Sequence, residues 1–67
     1  MKRLIRDKST GNFLTPDGSW SEDVSKALDF PATAAAVLEK QKLGLNNVEL
    51  VLMMGDEPGE YDVTLEL

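Results

Sequence analysis

One stretch of the chain, ATAAAVLEKQKLG after Pro31, is built largely from alanine, leucine, glutamate and lysine and predicts a helix over residues 31–43. The segments on either side read as short strands and turns. One such helix among several short strand segments suits an α+β design, with the helix on one face of a sheet. Thr33 is the expected N-cap, Lys40 and Lys42 suit the negative end of the helix dipole, and Gly44 suits a left-handed cap. Ala34, Val37, Leu38 and Leu45 are the expected buried stripe, with Gln41 at its rim.

Before the helix, Arg3 to Asp7 predicts a strand, Lys8-Ser9-Thr10-Gly11 a tight connection, and Asn12 to Thr15 a returning strand. Pro16-Asp17-Gly18 is a turn. Residues 21–30 permit two readings: a short helical turn from Ser21-Glu22-Asp23 into Leu28, or an extended piece from Ser25 to Phe30 lying against the hairpin. Phe30-Pro31 is a boundary, because a residue before proline avoids the helical region. After the helix, VELVLMM (48–54) is the pattern of a central strand covered on both faces. Gly55 to Gly59 breaks it. Tyr61, Val63, Leu65 and Leu67 then alternate with Glu60, Asp62, Thr64 and Glu66, the mark of a half-buried strand with an open edge. The order is ββαββ, with room for a further short strand before the helix. The expected fold is α+β, one helix on a four- or five-stranded, mostly antiparallel sheet, in a single domain spanning residues 1–67.

A chain of 67 residues lies near the lower limit for folding without help. It contains neither cysteine nor histidine, which removes disulfides and Cys/His zinc sites as staples. Good packing or a partner subunit must supply the difference. Trp20 therefore reads as a core residue, with Phe30 and Leu38. Its neighbours Ser19 and Ser21 are not those of an exposed recognition aromatic, and truncation to alanine is expected to cost about 3–5 kcal/mol.

The same absences bear on function. Without histidine or cysteine the commonest general base and the best nucleophile are missing, and a chain this short has little room for a catalytic pocket, so no enzyme is expected. Four carboxylates fall within residues 56–62, but calcium-loop spacing is absent and a solvated loop explains them, so no metal or cofactor is expected. No apolar run approaches the roughly 20 residues of a membrane helix, and MKRLIRDK lacks the apolar region of a signal peptide. The expected location is the cytoplasm.

The net charge of −5 is unevenly spread. Lys2, Arg3, Arg6 and Lys8 crowd the start, while residues 48–67 carry six acids and no base. Such a split suits two chain ends lying side by side as strands. The alternative is a weak nucleic-acid binder that uses those four bases, against which the pI of about 4.4 counts. The main expectation is an interaction or accessory module, a homodimer or a binder of another protein through its last strand, with Tyr61, Val63, Leu65 and Met53 at the interface. The proline in Gly55-Asp56-Glu57-Pro58-Gly59 stiffens the connection to that strand and suits its exchange between two copies.

Phe13-Leu14-Thr15, Gly18-Ser19-Trp20, Asp23, Ala27, Phe30 and Ala35 together resemble a layout found in small bacterial and phage proteins of unknown function. There an aromatic-Leu-Thr strand leads to a Gly-x-Trp turn, an Ala-x-x-Phe step and an alanine-rich helix. The resemblance covers about half the chain, implies a small α+β fold, and carries no activity or catalytic residue.

Overall fold

The computed structural model describes residues 1–55, Gly59 and 62–67. Five strands form one antiparallel sheet: β1 (Lys2–Asp7), β2 (Phe13–Leu14), β3 (Trp20–Ser21), β4 (Val48–Met53) and β5 (Val63–Glu66), in spatial order β3-β2-β1-β4-β5. Among the described residues, one helix, α1 (Thr33–Leu43), lies on one face and one 3₁₀ turn (Val24–Lys26) lies on the other. This is the expected α+β architecture; the fifth strand is β3, at Trp20–Ser21, a stretch read from the sequence as a turn.

Alternation along β1 and β4 divides the core in two. Ile5 stands opposite Leu50 and Leu4 opposite Val51. Ile5 and Leu50 join Leu14, Phe30, Ala36 and Val48 beneath the helix, whereas Leu4 and Val51 join Phe13 and Met53 on the far side. Val24 and Ala27 close that second cluster. Every one of Val48, Leu50, Val51 and Met53 is buried, so β4 is covered on both faces as its unbroken apolar pattern requires.

Residues 24–30 resolve the two readings by combining them. Asp23 caps the 3₁₀ turn, and the chain then runs extended. Leu28 N–H donates to the Leu14 carbonyl at 2.9 Å, and Phe30 N–H donates to the Arg3 carbonyl at 2.8 Å. The segment thus sits between β1 and β2 beyond their pairing at Arg6 and Phe13, satisfying backbone groups that the splayed hairpin leaves open. It also carries the chain from one face to the other, since Val24 and Ala27 pack on the far cluster and Leu28 and Phe30 on the near one.

The helix corrects two expectations. Its N-cap is Ala32, which is extended and offers no side-chain acceptor, while Thr33 is already helical. Pro31 holds Phe30 extended and Ala32 continues that path, so the helix begins at Thr33, two residues after Pro31 and one residue before a Thr33 N-cap would start it. The buried face is also different. Ala36 is fully buried and Ala35 packs on the core, while Ala34 is exposed and Leu38 is 65% exposed. Leu38 is therefore not core. The anchored Phe30 fixes the rotation of the helix, and the smallest side chains, not the largest, face the sheet. Leu45, just beyond the helix, does pack on the core as expected. The helix ends at Gly44 with φ +64°, whose N–H returns to the Gln41 and Lys40 carbonyls.

No helix among the described residues is long and apolar enough to cross a membrane.

Candidate functional site

The C-terminal strand β5 pairs antiparallel with β4 of the same chain, Leu65 opposite Leu50 and Val63 opposite Leu52. Those pairings put Val63 and Leu65 on the helix side of the sheet, but α1 leaves them 45% and 43% exposed. Among the described residues, β4 is the only strand beside β5, so one row of its N–H and C=O groups faces outward. Leu67 and Leu52 pack partly on the core next to this strip and continue its apolar surface inward. The other edge strand, β3, is only two residues long and offers far less backbone.

Of the interface residues expected from the sequence, Val63 and Leu65 lie on this edge. Met53 does not. It is 2% exposed and fills the far cluster with Leu4, Phe13 and Val51, because its position in β4 points it away from the helix. The exposed methionine is its neighbour Met54. Tyr61 lies outside the described residues, as do Asp56, Glu57 and Pro58 of the proposed exchange hinge.

On the sheet face away from the helix, charge is matched across strands. Glu49 in β4 stands opposite both Arg6 in β1 and Glu66 in β5. Two glutamates directly opposed repel. The repulsion is offset because Arg6 donates to Glu49 at 2.8 Å and Lys8 reaches Glu66. The two chain ends are thus attracted as their charges suggest, though β4 lies between them and they are not neighbouring strands. The four N-terminal bases do not converge on one surface. Lys2 and Arg6 share the far face, and Arg3 lies on the helix face. The Arg3 guanidinium donates to the Pro31 carbonyl at 3.1 Å.

Trp20 is half-buried. One side packs on the cluster beneath the helix. The other lines a shallow, open concavity of about 630 Å³ with Thr15, Asp17, Ser19 and Lys26. The turn that makes this concavity closes by Gly18 N–H to the Thr15 carbonyl at 3.0 Å, with Gly18 at φ +84°. Asp17 organises it. Its Oδ1 accepts from the Ser19 hydroxyl, the Thr15 hydroxyl and the Ser19 N–H.

The same local device occurs three times among the described residues. Asp7, Asp17 and Asp23 each accept both the N–H and the O–H of the serine two residues on, namely Ser9, Ser19 and Ser25. The repeated Asp-x-Ser spacing was available in the sequence as a signal for three turn-forming bonds. In each case the serine hydroxyl is the main cause holding the carboxyl below its usual 3.8, and Asp17 falls to about 2 with added help from Thr15.

These shifts give a pH dependence with a definite sign. The folded pKa lies below the unfolded one, so the carboxylates contribute stability above the unfolded value. For Asp17 that contribution fades as pH falls from about 3.8 to about 2. Asp17→Asn keeps an acceptor for the turn but no longer titrates. We expect its melting temperature to vary less with pH across that window than the parent's, with little change at neutral pH. Thermal melts at stepped pH check this, and an unchanged acid slope would exclude the proposed role of Asp17.

Compared with family models, with curated proteins and with solved structures, the chain matches none.

Proposed function

We propose that this protein is a small interaction module that works as a homodimer joined along β5. The observation that carries the reading is the β5 edge: outward-facing backbone groups beside two half-exposed apolar side chains that the chain's own helix leaves uncovered. Strand addition suits such an edge, because main-chain bonds supply affinity and the alternating side chains supply specificity. Natural edges are normally blunted by lysine, proline or a bulge. Val63-Thr64-Leu65-Glu66 has none of the first two and keeps an unbroken register with β4. A core divided between two sheet faces in so short a chain also gains from any further burial.

The test is solution mass by light scattering over a hundredfold dilution, at low and high salt. We expect a dimer that persists at high salt, since an apolar strand interface responds little to ionic strength, unlike phosphate binding. Leu65→Lys places a charge on the edge at a position that is already half-exposed, and is expected to give a folded monomer. A parent protein that stays monomeric at every concentration would overturn the homodimer, and the exposed edge would then be assigned to a different protein partner.

A further inference from the structure

We propose that the two copies pair antiparallel along β5 with Leu65 on the molecular two-fold axis, an inference that rests on the edge-pairing reading above. A two-fold that continues a sheet across an antiparallel seam stands perpendicular to that sheet. It therefore keeps each face on the same side, and it must pass beside one residue that meets its own copy. Within Thr64–Glu66 there are three such residues to choose from.

Centring on Thr64 sets Asp62 opposite the partner's Glu66, acid against acid. Centring on Glu66 sets that glutamate against its own copy. Centring on Leu65 sets Leu65 against the partner's Leu65, Val63 against the partner's Leu67, and Thr64 against the partner's Glu66. Apolar residues then meet apolar residues on the helix side. On the far side each glutamate faces a threonine hydroxyl that can donate to it. Glu66 already has Lys8 as an ion-pair partner within its own chain, which limits the acidic charge brought to the seam. Because the axis preserves faces, both α1 helices lie on the same side of the joined sheet. Between them, the strip of Val63, Leu65 and Leu67 from one chain lies against that of the other.

Cysteine cross-linking reads this register directly, since the chain has no cysteine of its own. Leu65→Cys, Thr64→Cys and Glu66→Cys are prepared singly and oxidised mildly at a concentration where light scattering shows the parent's mass. A directly opposed pair has Cβ atoms about 4.5–5.5 Å apart, close to disulfide range after a small adjustment. A residue one step from the axis is offset from its copy by two residues along the strand, about 7 Å, which puts the Cα atoms beyond the roughly 7 Å limit once strand separation is added.

The expected result is a covalent dimer from Leu65→Cys and little or none from the other two. Cross-linking at Thr64→Cys or Glu66→Cys instead would overturn the Leu65 register while leaving the β5 seam intact. A dimer by light scattering that none of the three variants traps would overturn the Leu65 register and any seam centred within Thr64–Glu66, and is the result that a β5 exchanged between copies would give. A parent monomer would overturn the homodimer reading on which the register rests.

Discussion

Leu50→Ala is expected to leave the chain largely unfolded in water at room temperature. Leu50 is fully buried in β4, with Ile5 opposite on one side and Leu65 on the other. It also belongs to the cluster that joins the sheet to Phe30 and Ala36. Truncation removes the transfer energy of three carbons and leaves a cavity between elements held by both strands and helix, which costs about 2–5 kcal/mol. A core of this size supplies about 3–5 kcal/mol net, so one side chain accounts for most of the margin. Leu38→Ala is the matched control: the same substitution on the exposed helix face should shift stability by no more than about 0.5 kcal/mol. Urea titrations of both variants at equal protein concentration, followed by helix signal and by Trp20 emission, compare them. Equal losses from the two substitutions would mean that the helix is rotated so that Leu38, not Ala36, faces the sheet.

That contrast also marks where the sequence was legible. β5 followed from period-two alternation, β1 and β2 from apolar pairs flanking a turn, and β4 was recognisable because an apolar run without alternation needs cover on both faces. Gly44 could be placed because few residues other than glycine tolerate the left-handed cap. The rotation of α1 could not. In TAAAVLEKQKL the apolar residues are spread around the helix, so no stripe dominates, and large Leu38 looked more like core than small Ala36. What decides the rotation is tertiary: Phe30 is tied to the Arg3 carbonyl and buried beneath the helix, and close approach there favours alanine. For the same reason Met53 was read as interface. Pattern alone puts it at the end of an apolar strand, and only the 3₁₀ turn, carrying Val24 and Ala27 across the far face, shows that it is covered.

On the candidate site, the sequence located the strand but not its surroundings. Alternation of Val63 and Leu65 with Thr64 and Glu66 predicted one apolar face, and that face does lie toward the helix. How far α1 reaches over it depends on where the helix lands, which local pattern does not encode. How the basic cluster is distributed is likewise a matter of tertiary placement. Four bases near one another in sequence alternate across the strand, so β1 distributes them to both faces, where Arg6 meets Glu49 and Arg3 meets the Pro31 carbonyl.

Trp20→Ala is expected to lower stability by about 2 kcal/mol, less than the roughly 3–5 kcal/mol that full burial would imply. The indole sits on a two-residue edge strand opposite Leu14 and packs on the core from one side, while its other side borders the open concavity beside Thr15 and Lys26. Part of the indole stays exposed, which holds the loss below that of a fully buried tryptophan. For a domain of this length such a loss lowers the melting temperature by about 8–16 °C while leaving a cooperative transition. Trp20→Phe keeps a ring against Leu14 and should recover most of the difference. Calorimetry of the three proteins distinguishes the cases. A Trp20→Ala variant that melts with the parent would mean that the indole adds nothing to the core and serves the concavity alone. One that fails to fold, as Leu50→Ala is expected to, would mean that this short edge strand is as integral to the sheet as β4.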